Sequence, residues 1–411
     1  MKKKIKVYNS IGSKEKKAAE RVIKSGILSD FLAKPGEKFL GGKYVRKFEK
    51  QIEKYFNVKY AITVNSWTSG LIAAVGAIGI EPGDEVIVTP FTMSATATAI
   101  LHWNAIPVFA DIERDTYNID PQSIEKNISP YTKAILAVDI FGHPANFNEI
   151  LKIAKKYKLK VISDSAQAIG AKYFDRYAGT LSDVGGFSLN CHKQINTGEG
   201  GILVTNNFQI AKKLRLIRNH AEAIVQTKNK KKLSNMIGYN FKLGEIESAI
   251  GIEQLKKLSS IVRKRQKLAL KLINMLKNLK GLRLPIVKSN CSHAFYGFPI
   301  LIDTKFIRVK RKIIYNALKA QGVEIVQGYS NLHLLPIFQN KIAYGTKGFP
   351  WTLNKKSKVR YKKGICPIAE DLNDNTLLIL GMYSFEYSFK DIEMIGNAFK
   401  KVWKNLKLYE I

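Results

Sequence analysis

An acid closing one apolar run and a lone lysine just past another are the residues of this chain best placed to do chemistry. Asp164 lies in Val161-Ile-Ser-Asp164-Ser-Ala-Gln167-Ala, and Lys193 in Phe187-Ser188-Leu-Asn-Cys-His-Lys193-Gln-Ile-Asn-Thr-Gly-Glu-Gly-Gly201. A carboxylate at the carboxyl end of a buried strand, with a lysine aimed back at it by a neighbouring turn, suits a pyridine cofactor. The acid holds the ring nitrogen protonated and the lysine forms an imine. A third piece is Asn65-Ser66-Trp67-Thr68-Ser69-Gly70-Leu71, ahead of an apolar helical stretch that runs to Ile80. Small hydroxyl residues and glycine at a strand-to-helix turn leave backbone N–H groups at the positive end of the helix dipole, a seat for phosphate. Taken singly, each piece also has a plainer role: a salt-bridged strand-end acid, a surface lysine, hydroxyls that cap a helix.

Bringing these groups together requires strands that end at one edge. Residues 60–65, 85–88, 106–109, 134–138, 160–163, 184–189 and 201–204 are short apolar runs, most of them separated by helical stretches. That alternation predicts an α/β fold, with a large domain whose mostly parallel, seven-stranded-type sheet is sandwiched by helices. Residues 1–30 read as an N-terminal arm and helix, and 31–258 as the large domain. Residues 259–411, lysine-rich helices around a few strands such as 294–302, read as a smaller C-terminal α+β domain. Ile246, Ala249, Ile250, Ile252, Leu255 and Leu258 stand near helical spacing and predict one long amphipathic helix up to that boundary. Residues 344–364 lack a period and are expected to form a long loop of the kind that often carries function.

A chain of 411 residues, 45% hydrophobic, buries a large core. Its formal charge of +34 invites a nucleic-acid reading. The lysines, however, recur on nearly every helical stretch (Lys14, Lys16 and Lys17; Lys152, Lys155, Lys156 and Lys158) and so read as solvated faces. No nucleic-acid partner is expected, while the positive field favours an anionic small substrate. The basic start Met1-Lys-Lys-Lys has no apolar stretch behind it, and no run approaches the ~18 apolar residues of a membrane span. A cytoplasmic protein without membrane contact is expected. Cys191, Cys291, Cys366 and the six histidines show no metal-ligand spacing, so no metal is expected. Dinucleotide-binding, P-loop and serine-hydrolase glycine signatures do not occur.

Several extended phrases occur in a telling order. They are Gly83-Asp-Glu-Val-Ile-Val-Thr-Pro-Phe-Thr92, Phe109-Ala-Asp-Ile with Tyr117-Asn-Ile-Asp120, Asp164-Ser-Ala-Gln-Ala, Thr197-Gly-Glu-Gly-Gly, Arg218-Asn-His220 and Gly238-Tyr-Asn240-Phe-Lys. From about Ser25 onward the chain resembles the DegT/StrS-type sugar aminotransferases, pyridoxal-phosphate enzymes of the aspartate-aminotransferase fold. The resemblance implies that Lys193 carries the cofactor and moves the substrate proton, that Asp164 pairs with the ring nitrogen, and that Gln167 bonds the ring-hydroxyl region. Thr68, Ser69 and Ser188 match phosphate-binding positions. Asn240 matches a residue that reaches the phosphate from the neighbouring subunit, which implies a homodimer with shared active sites.

Two positions depart from that pattern. Met93 stands where many relatives stack an aromatic residue on the ring, and Trp67 where they usually have a small residue. His220, Lys242 and His333 fall in stretches that lie near the sugar and are candidate substrate contacts. A dehydratase branch has histidine in place of the lysine. Here the spacing from Asp164 puts Lys193, and not His192, at that position. The implied reaction moves an amino group from an amino acid, glutamate or glutamine, to a keto-sugar, usually nucleotide-linked, in amino-sugar and polysaccharide biosynthesis. The cofactor alternates between its pyridoxal and pyridoxamine phosphate forms. A dehydratase or cyclitol aminotransferase of the same fold is the alternative, and a non-catalytic nucleic-acid-binding or regulatory protein is suggested by charge alone.

Overall fold

The computed structural model describes residues 5–221, 237–303 and 305–406, so the start at Met1 to Lys4 lies outside them. Helix α1 (Ser13–Ser25) stops at Gly26 in the left-handed conformation, and α2 (Lys43–Phe56) buries Val45, Phe48, Ile52 and Phe56 at helical spacing. Strand and helix then alternate through β1 (Tyr60–Val64), α3 (Trp67–Ala77), β2 (Glu85–Val88), α4 (Ser94–His102), β3 (Ile106–Phe109), α5 (Pro121–Lys126), β4 (Thr132–Val138), α6 (Phe147–Tyr157) and β5 (Lys160–Asp164). A short hairpin, β6 (Lys172–Tyr173) and β7 (Arg176–Tyr177), leads to β8 (Val184–Ser188), β9 (Gly201–Thr205) and α7 (Phe208–Arg218). The seven-stranded sheet has the order β1-β9-β8-β5-β4-β2-β3. Only β9 runs against its neighbours. The strands are buried on both faces, which is why they read as apolar runs with no alternation.

The C-terminal part comprises α8 (Glu245–Leu255), α9 (Leu258–Leu276), β10 (Leu282–Arg283), β11 (Phe298–Ile302), α10 (Arg311–Ala320), β12 (Ile325–Gln327), α11 (Pro336–Gln339), α12 (Pro367–Asp371), β13 (Leu377–Leu380) and α13 (Phe389–Lys404). An antiparallel sheet, β10-β11-β13-β12, packs on α9, α10 and α13 around Leu272, Phe298, Ile314 and Phe399. No helix among the described residues is long and apolar enough to cross a membrane.

One sequence expectation needs correction and another gains detail. The single amphipathic helix expected up to residue 258 is broken at Lys256 and Lys257. The segment α8 packs on α1 and α2, while α9 sets off into the small sheet's core. Residues 344–364 do form the long loop expected, but it is packed down and not open. The Trp351 indole N–H donates to the Tyr361 hydroxyl (2.8 Å), which donates to the Pro107 carbonyl (2.6 Å). With Leu332, Phe338, Cys366 and Ala369, these two aromatic residues join Phe109 in the core of the large sheet. The stretch is aperiodic because it is a strap pinned by a few large side chains, and it returns part of the C-terminal region to the large sheet.

One glycine joins the two sheets at the place that matters for the site. Gly142 has φ +102°, and a Cβ there would lie 3.0 Å from the Phe295 nitrogen and 3.1 Å from the Tyr296 nitrogen. Without one, the Gly142 carbonyl accepts the Ala294 N–H (2.8 Å) and the Phe141 carbonyl accepts the Tyr296 N–H (2.9 Å). Tyr296 is thereby docked onto the loop that follows β4.

Candidate active site

Parallel strands β4, β5 and β8 end side by side, and their last residues, Val138, Asp164 and Ser188, border a cleft of about 380 Å³. The carboxyl edge of a parallel sheet is where open α/β folds place ligands. Asp164 is 4% exposed. Its Oδ1 accepts the Trp67 indole N–H at 2.7 Å and the Ala166 amide at 3.2 Å, and its Oδ2 accepts the Thr96 hydroxyl at 2.8 Å. Thr96 in turn bonds Thr92 at 3.0 Å. Burial pushes the Asp164 carboxyl above its ordinary value, against the pull of Thr96, Trp67, Ala166 and the charge of Lys193.

Lys193 belongs to the turn after β8, where its amide donates to the Asn190 carbonyl (2.9 Å). Its ammonium stands 4.4 Å from the centre of the Tyr296 ring. Desolvation brings its pKa down to about 8, with Asp164 and Cys191 acting the other way. An amine of pKa about 8 is neutral in roughly a tenth of molecules at pH 7, against fewer than ~0.1% for an ordinary lysine.

At the start of α3, Ser66 caps the helix: its hydroxyl accepts the Ser69 amide at 3.0 Å and bonds the Ser69 hydroxyl at 2.9 Å. The amides of Trp67 and Thr68 have no intrahelical acceptor, and Thr68 is exposed in the cleft wall. Ser188, at the end of β8, takes the Asn190 amide at 3.2 Å and borders the same space. Gln167 lines the cleft with its carbonyl oxygen on the Phe141 amide (2.8 Å) and its NH2 on the Tyr329 hydroxyl (3.3 Å). Met93, 62% exposed, sits at the mouth.

Thus Lys193, Asp164, Gln167, Ser188, Thr68 and Met93 come together, and His192 joins them on the wall. Ser69 lies just behind, engaged in the cap. Other candidates lie elsewhere. His220 and Lys242 meet each other at the surface, 3.1 Å between Nε2 and Nζ, and neither lines the cleft. Asn240 is exposed, with its backbone carbonyl near the Asn65 side chain (3.4 Å). His333 is fully buried, its Nε2 2.9 Å from Glu370. It packs on Phe109, and burial lowers its pKa, so in this structure it is a neutral core residue with no surface to offer a substrate.

Several residues of the cleft had no part in the sequence reading. Thr96 stands one helical turn from Thr92 in Thr92-Met-Ser-Ala-Thr96, a spacing that could have been read as two hydroxyls on one face. Tyr296 carried no local signal, because the Gly142 junction brings it in from far along the chain.

The fold recurs in known proteins. The GDP-perosamine synthase of Caulobacter vibrioides is 33% identical to this chain, over 72% of it and 78% of the relative. The solved structure of Helicobacter pylori PseC, an aminotransferase involved in the biosynthesis of pseudoaminic acid, matches with a TM-score of 0.79 at 27% identity, covering 98% of this chain and 100% of the other. A GDP-4-keto-6-deoxymannose-3-dehydratase, solved with a trapped PLP-glutamate geminal diamine, matches at 0.77 and 26% identity over 96% of this chain and 99% of its own. Residues 28–372, which include the seven-stranded sheet and the whole cleft, match the DegT/DnrJ/EryC1/StrS aminotransferase family, and the chain belongs to that family of pyridoxal-phosphate enzymes.

Proposed function

We propose that this enzyme transfers an amino group from an amino acid, L-glutamate before glutamine, to a keto-sugar in nucleotide-linked form, as a step in amino-sugar and polysaccharide biosynthesis. The observation that carries the reading is Lys193, an amine with a pKa brought down to about 8 in the cleft that also holds Asp164. The perosamine synthase is named for a GDP-linked sugar, and a chain charge of +34 favours a substrate bearing phosphates.

The residues present fit pyridoxal phosphate. Asp164 would accept the ring N–H, and the second N–H of the Gln167 amide would serve the ring hydroxyl. Thr68, the first amides of α3 and Ser188 would hold the phosphate, with Ser69 keeping the helix start in shape. Met93 would cover one face from the mouth, a softer contact than an aromatic stack. When bound, the cofactor supplies an electron sink for the carbon that loses its proton.

The proton is the chain's own task. Lys193 Nζ, neutral in the fraction its lowered pKa provides, takes the proton from the α-carbon of the donor. It holds that charge against the Tyr296 ring, and later delivers a proton to the former keto carbon of the sugar.

In this reading two copies share their sites, and Asn240 of the partner subunit reaches the phosphate. His220 and Lys242 would contact the substrate from the surface, outside the lining of this chain's cleft. The reading places the protein in the cytoplasm. A dehydratase is the second reading, favoured by His192 on the cleft wall and by the dehydratase among the structural matches. Product mass after incubation with L-glutamate and a panel of keto-sugar nucleotides separates the two, because transfer adds nitrogen and elimination removes water. If glutamate leaves the visible spectrum of the cofactor-loaded protein unchanged and no sugar gains nitrogen, the proposal is wrong.

A further inference from the structure

Trp67 enters the cleft floor through a slot built from glycines. A Cβ on Gly70 would come within 2.7 Å of its indole Cε3, and one on Gly186 within 2.5 Å of its Cζ3. The indole is 6% exposed, and close packing of this kind leaves it a single orientation. That orientation delivers Nε1–H to Asp164 Oδ1 at 2.7 Å.

The remaining bonds of Asp164 give this contact its meaning. An ionised carboxylate presents about four acceptor sites, two on each oxygen. On Oδ1 both are taken, by Trp67 and by the Ala166 amide. On Oδ2 one is taken, by Thr96. A carboxylate has no proton to give, so Thr96 must be the donor to Asp164 and must accept from Thr92. One acceptor site is left, on Oδ2, in a residue that borders the cleft.

We propose that Trp67 is a positioning residue for Asp164: its indole N–H occupies Oδ1 and so presents the remaining site on Oδ2 to the ring N–H of the cofactor. The inference rests on the pyridoxal-phosphate reading of this cleft. Without the indole donor, Oδ1 keeps only the 3.2 Å Ala166 amide, so the carboxylate is held less firmly and the ring nitrogen has a less fixed partner.

The test uses the full-length protein with pyridoxal phosphate and the variants Trp67→Phe, Asp164→Asn and both together. Phenylalanine keeps an aromatic floor and removes only the donor. The dissociation constant of the cofactor is expected to rise about tenfold in Trp67→Phe, the loss of one hydrogen bond to a charged group. The kcat of the glutamate half-reaction should fall while the KM for glutamate stays. In the Asp164→Asn background the same change should alter cofactor affinity less than about twofold, because two residues acting through one contact are not additive. Unaltered affinity in Trp67→Phe, or a full tenfold loss that persists in the double variant relative to Asp164→Asn alone, overturns the proposal, since the indole would then be inert or merely a floor. A wild-type protein that develops no visible band with pyridoxal phosphate overturns this inference and the reading beneath it together.

Should Trp67→Phe fail to fold, the same contact is measurable with the indole in place. In protein labelled with ¹⁵N at its four tryptophans, Asp164→Asn should move one indole N–H resonance upfield. A spectrum with no such movement also overturns the proposal.

Discussion

Glu370 and Asp164 are both buried carboxylates with a basic residue near them, but one faces the core and the other borders an open cleft. Glu370 accepts His333 Nε2 at 2.9 Å and the amides of Gly364 (2.8 and 2.9 Å) and Cys366 (3.3 Å). Burial works to raise its pKa, but the Gly364 amide, His333 and the Cys366 amide together bring it below the ordinary value. Asp164 also takes three donors, but it borders the cleft, and there burial wins. Lys193 spends its charge on the face of Tyr296. Carboxylate bonds turned wholly into the core hold a fold together, whereas the same number of donors on a carboxylate beside an open cleft leaves room for a ligand.

Substitutions at the two places should therefore behave oppositely, and the largest contrast is at the lysine. Lys193→Ala should abolish the visible band of lysine-bound cofactor and slow amino transfer at least about a thousandfold in single-turnover assays, with an unchanged melting temperature. Asp164→Asn should slow the glutamate half-reaction about a hundredfold, the scale of losing one electrostatic contact to the reacting group. An effect of either size at Glu370 would erase the distinction drawn between the two carboxylates.

Glu370→Gln is expected instead to leave turnover within about twofold and to lower stability by about 1–3 kcal/mol in urea denaturation, because buried donors are left without their carboxylate. The last test uses pH. The amine that attacks the cofactor must be neutral, so attachment to the cofactor-free protein should rise about tenfold from pH 7 to pH 9 with a midpoint near 8. The sign for stability follows from the same shift. Between about 8 and the ordinary lysine value the unfolded chain binds more protons, so the penalty of burying this group in the cofactor-free protein is relieved as pH rises through that window. A midpoint near 10 would return Lys193 to the class of solvated lysines.

The sequence spoke plainly where one short stretch carries both a strand and its chemistry. The sheet strands announce themselves because burial on both faces leaves no polar alternation, and Asp164 and Ser188 are legible as the residues that close two of them. Thr68 is legible because a helix start needs only its neighbours. Tyr296 was silent for the opposite reason: it reaches the cleft through contacts made far away in the chain, while the i,i+4 signal of Thr92 and Thr96 was there but went unread. His333 misled because a loop-like phrase rich in leucine and proline reads the same whether it faces a sugar or a core. In the structure, Phe109 and Glu370 close around it. The strap at 344–364 was legible as a loop but not as a packed one, since two pinned aromatic residues, Trp351 and Tyr361, leave no period to detect.

The Gly142 junction has a mechanical consequence. Tyr296 belongs by sequence to the approach to β11, yet its amide is tied to the end of β4, and the Gly297 amide reaches the same Phe141 carbonyl at 3.2 Å. The aromatic roof above Lys193 is therefore bolted to the frame of the large sheet, not carried by the small one. Any swing of the four-stranded sheet would turn about the residues just beyond Gly297 and slide Tyr383, stacked 4.6 Å from Tyr296, across a stationary partner. The lysine would keep its ceiling height while the doorway beside it changed width.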